Sequence, residues 1–568
     1  MKIGTRALVV FSACGIASAA LLQAQGRGGG EWTTSGSDAQ RTAWVRADAR
    51  LTREAVQKGE LKFLWKATFE NHARQLNSLT QPILLDRLIG FRGFKALAFI
   101  GGSADRVFAI DTDLGRPYWT THLNYSVATG GQPPSSWSCP GGLVATPTRR
   151  TNVAPSAFGG GGGGGRGGRS GSAVGLPGRG AAILSQAPTG RGTAPAPPVP
   201  PPAPVSTTPA VAPIPFGGVD PVYAVGSDGL LHTLASSNGA DIEPPAPFLP
   251  PSSKPSGLIF IDGVVYTSTS DGCGAAPNAV WALDLTTKER KAAAWKTGGA
   301  NVAGTTGPTL GTDGTLYVAV GSTPTSGTPA STTSAGQETS DAVVALERKT
   351  LARKDWFTAD GADFNTSPIV FRYKDKDLIA ATANDGRLYV LDSASLGGAD
   401  HKTPLYVTPK YTAAGAGAAL ATWEDGGTRW ILAPAVAAAP AGAGGPATNG
   451  RLVAFKLVDQ NGKLTLESGW TSRGLTSPLG PIVVNGVVFV ASSGEFRGAN
   501  ARLTAAQRAQ RSTPAVLHAL DGATGKELWN SGKTMTSFAR AGLSAGSGQV
   551  YVVTFDNTLY AFGIPMEH

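Results

Sequence analysis

The chain has 568 residues, 41% of them apolar and only 15% charged, with 76 glycines and 40 prolines. That profile provides enough apolar side chains for a large core, and it argues against a helical protein, which would lean on Ala, Leu, Glu and Lys. The formal charge of +10 comes from scattered Lys and Arg with no dense basic run inside the patterned regions, so a solvated basic surface is expected rather than a nucleic-acid interface.

Lys2 and Arg6 precede an apolar stretch, Ala7 to Leu22, built largely of small residues. It is short for a membrane span and reads as a secretory signal peptide over residues 1–24, with cleavage after Ala19 or Ala24. The expected location is periplasmic or secreted. Phe11-Ser12-Ala13-Cys14 is a poor lipoprotein box, so anchoring through Cys14 is not expected, and no later segment is apolar enough to span a membrane. Leader removal leaves Cys139 and Cys273, which form either a disulfide in an oxidising compartment or two free thiols.

From there an internal repeat organises the chain. Leu61-Lys62-Phe63-Leu64-Trp65-Lys66 is a closing strand without its unit. Val107 to Trp119 is a clear copy, an apolar strand ending in Ala-x-Asp, then a turn, then Trp. Residues 151–216 interrupt the pattern with a Gly run and a Pro run. Such a segment cannot bury enough apolar area to offset its ordering entropy and is expected to be disordered. Weaker copies follow at Pro221 to Thr233, at Gly263 to Asp284 with Trp295, at Gly314 to Leu346 with Trp356, at Leu378 to Asp392, and at Gly450 to Phe455 with Trp470. Residues 322–340 and 436–449 read as smaller loops, and Ala501 to Arg511 as a short surface helix. The clearest copy is Val516-Leu517-His518-Ala519-Leu520-Asp521-Gly522-Ala523-Thr524-Gly525-Lys526-Glu527-Leu528-Trp529. Gly548 to Phe562 then begins a unit that lacks its Trp.

Alternating apolar residues make the strands, Asp accepts hydrogen bonds from its own turn, Gly supplies the positive φ, and Trp fills the gap between adjacent sheets. These tryptophans are therefore core. Joining the last, open unit to the orphan strand at Trp65 closes a circle of about eight four-stranded blades. The predicted fold is an all-β, eight-bladed β-propeller over residues 32–568.

The string Ala-Leu-Asp-x-x-Thr-Gly-Lys-x-Leu-Trp resembles the repeat of the pyrroloquinoline-quinone (PQQ) propellers, the quinoprotein alcohol dehydrogenase-like family. The resemblance spans most of residues 32–568. It implies a channel in which PQQ lies above a calcium or lanthanide ion held by Glu, Asn and Asp, with a second Asp as base and an Arg on the quinone. In this chain Cys273 falls in the Glu position and Thr323 in the Asn position. Asp363 survives as the catalytic Asp, and Asn384 replaces the Arg. The adjacent cysteine pair on which many members stack the cofactor is missing. Thr323, Asp363 and Asn384 are thus the remnant of a cofactor site, without a metal site. A hard divalent ion wants several anionic oxygens, and about one carboxylate remains.

The leading expectation is a propeller with a degenerate quinone site that binds a protein or small-molecule ligand at one face, on loops carried by a rigid scaffold. The rival is a PQQ-dependent alcohol or sugar dehydrogenase with Asp363 as base. No nucleophile elbow, phosphate loop or His-rich cluster supports another enzyme, and the six histidines read as surface or turn residues.

Overall fold

The structure, a computed structural model, describes residues 31–90, 93–123, 136, 138–151, 220–323, 339–415, 417–437, 449–497 and 503–565. The leader at 1–24, and all of the insert at 151–216 except Thr151, lie outside the described residues, as do most of 322–340 and 436–449.

Eight small antiparallel sheets form an eight-bladed β-propeller. In chain order the blades span 83–122, 222–247, 259–296, 309–358, 369–407, 421–471, 482–530 and 544–563. The last blade takes its outermost strand, Lys62–Thr68, from the other end of the chain. Phe63 lies opposite Phe562 and Trp65 opposite Ala561, so the split unit read from the sequence is the closure. Short helices at Arg53–Gln57 and Ala505–Arg511 decorate the blades, the second opened by a Thr504/Gln507 capping box. Among the described residues no helix is long and apolar enough to cross a membrane.

Two blades depart from four strands. The second has three, its innermost place held by a single bridge between Thr148 and Tyr223. Pro147 has no N–H to give there, and the Arg149 N–H is taken by the carbonyl of Thr33. The seventh gains a fifth, parallel strand, Trp44–Val45.

The repeat's physics is visible at the blade interfaces. The closing Trp of one blade leans on the turn of the next. Trp65 donates its indole N–H to the Thr112 carbonyl (3.0 Å), Trp119 to that of Ser236 (2.8 Å) and Trp470 to that of Gly522 (2.8 Å). Covering an indole this way is worth on the order of 3 kcal/mol per interface. Two histidines differ from the surface reading. His232 and His518 are buried in strands and bonded to Asp241 and Glu527. A buried imidazole needs a partner, and a carboxylate on a neighbouring strand or turn supplies it.

The first described segment, Glu31 to Asp48, runs across the channel. Its carbonyls accept from the innermost strands: Trp32 from Leu84, Thr33 from Arg149, Ala39 from Leu310, Gln40 from Val370, Thr42 from Thr422 and Ala43 from Val483, all within 2.7–3.0 Å. Thr34 Oγ1 donates to the Leu258 carbonyl (2.5 Å), and Asp48 accepts from the Gly548 amide (2.8 Å). One short stretch is therefore bonded to all eight blades. At its centre Arg41, 1% exposed, donates to Thr34 Oγ1, to the Ser35 carbonyl and to the Pro308 carbonyl. Burial pulls its pKa down to about 9 despite the nearby Asp38. The segment forms a plug.

Candidate functional site

In a blade of four antiparallel strands counted outward from the axis, the crossovers between blades and the loops joining second to third strands share one face. The predicted site residues all lie on that face. Asp363 precedes the innermost strand of the fifth blade, Asn384 lies in that blade's second loop, and Thr323 follows the second strand of the fourth.

Two of them meet directly. Asp363, with φ of 54°, accepts from Asn384 Nδ2 on Oδ2 (2.5 Å) and from the Ser322 amide on Oδ1 (2.8 Å). Its own amide and Ser322 Oγ converge on Asp341 Oδ1 at 2.8 and 2.6 Å. Asn365 Nδ2 holds Asn384 Oδ1 (2.6 Å). Thr323 is exposed and adjoins this knot through Ser322. The arrangement fastens the fourth blade's loop to the fifth blade through Asp363 Oδ1, while Oδ2 is bonded within the fifth blade.

Cys273 lies in the corresponding loop of the third blade and is joined to Cys139, with Cα atoms 5.4 Å apart. Beside the disulfide, Lys254 pairs with Asp271 (2.5 Å), whose other oxygen takes Asn301 Nδ2 (3.0 Å). Among the described residues no group of three or more His, Cys, Asp or Glu is arranged to hold a metal. The donors at the positions the resemblance marks do not fit a calcium or lanthanide ion with PQQ. Cys273 is tied up as a disulfide, Thr323 offers a neutral hydroxyl, and the Asp363 carboxylate is turned onto Ser322 and Asn384.

The same face opens into the channel mouth, a cavity of about 530 Å³. Its floor is the plug, through Trp32, Ser35, Gly36 and Ala43. Asp363, Thr323 and Asn384 are not among the described residues that line it. Its wall on the seventh and eighth blades carries Glu495, Arg497, Arg508 and Arg540, and Lys254 lines it from the third. Glu495, 3% exposed, pairs with Arg497 at 2.9 Å and Arg540 at 3.4 Å. Burial lowers the Arg540 pKa, with the positive charges of Arg497 and Arg508 adding to the effect and Glu495 opposing it. Sequence reasoning missed this group. The arginines are spread over 44 residues, on a loop, a short helix and a crossover, and share no motif; the cue that could have pointed to them is their recurrence in segments flanking the inner strands of adjacent blades.

No family model matches the chain, and no curated protein matches it in sequence. Among solved structures, quinohemoprotein alcohol dehydrogenase from Comamonas testosteroni is 14% identical with a TM-score of 0.54, covering 97% of this chain and 82% of its own. Quinohemoprotein alcohol dehydrogenase ADHIIG from Pseudomonas putida HK5 is 12% identical with a TM-score of 0.52, over 95% and 82%. A europium-containing methanol dehydrogenase is 12% identical with a TM-score of 0.55, over 96% and 100%. At these identities the likeness speaks for architecture alone: the chain carries the eight-bladed propeller fold that these dehydrogenases share.

Proposed function

We propose that this chain is an exported binding propeller that holds a small ligand in the mouth of its channel. The observation that carries the reading is the cavity itself. It is floored by the chain's own N-terminal plug and walled by charged side chains on the loop-bearing face. Its volume of about 530 Å³ lies in the usual range for small-molecule sites, roughly 300–1,000 Å³. A rigid ring with a closed floor presents a pre-formed concave site at this mouth, which favours binding with little reorganisation. Export is supported by the basic-then-apolar N-terminus and by the Cys139–Cys273 bond, which suits an oxidising compartment.

The second reading, a PQQ-dependent alcohol or sugar dehydrogenase, is favoured by the survival of Asp363 at the position the resemblance marks and by the dehydrogenases among the structural neighbours. The two readings separate in one experiment. Titration calorimetry with PQQ should show no binding that calcium strengthens, and a panel of alcohols and sugars should give no dye reduction. Micromolar PQQ binding, together with turnover abolished by Asp363→Ala, would establish the dehydrogenase instead.

A further inference from the structure

Four of the charged residues lining the channel mouth are basic, Lys254, Arg497, Arg508 and Arg540, and one is acidic, Glu495. The three arginines come from two neighbouring blades. Arg497 and Arg508 lie in the loop between the second and third strands of the seventh, and Arg540 in the crossover into the eighth. Their grouping is costly, since like charges in a partly buried wall repel and lose hydration. Arg508 is 8% exposed and belongs to the helix Ala505–Arg511, whose capped first turn fixes its place. Glu495 is shared between Arg497 and Arg540, so one carboxylate bridges two guanidinium groups and orders them. Below them, the floor residue Gly36 packs on the stem of the buried Arg41: a side chain added at Gly36 would come within 3.2–3.4 Å of Arg41 Cα, Cβ and Cδ.

The geometry points to a small multivalent oxyanion, carrying carboxylate or phosphate groups, as the ligand of the channel mouth, seated on Arg497, Arg508 and Arg540. This rests on the channel-mouth reading above and adds the ligand's chemistry to it. Guanidinium groups are the side chains best matched to planar carboxylates and to phosphates, because each offers parallel N–H donors in a fixed fork. The excess of basic over acidic lining residues attracts such a ligand and its charge offsets their mutual repulsion. The plug closes the channel beneath the cavity, so a small ligand entering the mouth stops there. The sector is separate from the Asp363 knot on the fourth and fifth blades, whose polar groups are already turned onto one another.

The test is calorimetric titration of the full mature chain with citrate and, separately, with inorganic phosphate. Neutral sugars and alcohols form the third arm. Citrate or phosphate should bind one per chain, more weakly as ionic strength rises. Arg497→Gln should weaken binding at least tenfold, and Arg540→Gln the same if its melting curve shows that it folds. Glu495→Gln, which removes the competing carboxylate, should tighten it several-fold, a change of sign that general loss of structure cannot mimic. Lys62→Gln, on an outer strand far from the mouth, should leave it unchanged. Citrate binding well above phosphate assigns more than one carboxylate to the seat, whereas equal affinities assign a single oxyanion. Both results support the inference. If a neutral sugar or alcohol binds and neither anion does, the ligand class is wrong while the channel-mouth reading stands. If nothing in any arm binds, both fail. Anion affinity that is indifferent to the Arg497 and Glu495 substitutions also overturns the inference.

Discussion

Trp470 lies against Gly525 of the next blade, so close that a Cβ on the glycine would fall 2.4 Å from the indole ring. Gly525 also holds a φ of 71°. Two independent demands therefore meet at one residue, positive φ in the turn and a bare surface for the neighbour's indole. Gly525→Ala should cost roughly 2–4 kcal/mol, the sum of backbone strain and overpacking. Gly462 has a similar φ of 82° with nothing within 4 Å of its would-be Cβ. Gly462→Ala should therefore cost only about 1 kcal/mol. Denaturant midpoints of the two variants check the difference.

The closure of the ring makes its own prediction. Removing residues 553–568 takes away the strand Thr558–Gly563, which pairs with Lys62–Thr68 on one side and with Gln549–Thr554 on the other. Two edges open at once in a structure with few others. The truncated chain should lose its cooperative melt, seen by circular dichroism, and should aggregate on refolding. A truncation that melts like the intact protein would contradict the closure.

Acid should weaken the seventh blade through His518. Burial lowers its pKa from the usual 6.5, against the pull of Glu527 at 2.7 Å. The unfolded chain then binds this proton more readily than the folded one. The neutral His518 contributes its full stability above about pH 6.5 and loses it as the pH falls through its lowered folded-state value. Glu527 adds a second, more acidic step. Burial would raise its pKa, but the hydrogen bonds from Asn530 and His518 outweigh that and leave it below 4.5. Unfolding midpoints measured from about pH 8 down to pH 5 should decline below neutrality, and His518→Gln should flatten the first part of that decline.

Asp363 is expected to act as a strut. Asp363→Ala strands the Ser322 amide and the Asn384 side chain and should cost about 1–3 kcal/mol. It should leave citrate affinity at the channel mouth unchanged, because the residue stands outside that cavity. Denaturation and calorimetry on the same variant separate the two effects.

What the sequence disclosed follows from repetition. The Ala-x-Asp turn and its Trp answer the same local requirements in blade after blade, so Leu520-Asp521 and Trp529 can be read without knowing what surrounds them. The orphan strand at Trp65 was legible because one piece of that unit was missing. The plug was not, because its bonds to the blades run mainly through carbonyls of Trp32, Thr33, Ala39, Gln40, Thr42 and Ala43, which leave no side-chain signature. Arg41 reads on the page like any surface arginine. Asp363, Asn384 and Thr323 are legible only through the family resemblance; the structure sets them on the loop-bearing face, and their partners Ser322, Asp341 and Asn365 come from loops without periodicity. His518 was recognisable as buried, since it sits between apolar neighbours in a strand with Asp at its end.

The plug also sets an order of events. It is synthesised before every blade it joins, yet its acceptors await donors as far along as Val483 and Gly548. Until those residues exist, the segment between Glu31 and Asp48 has no finished place to go. Blades can form one after another from local hairpins, each fast because its contacts are close in sequence, but the axis must be threaded late. A stretch made before any blade is therefore the keystone, set when the arch around it is complete.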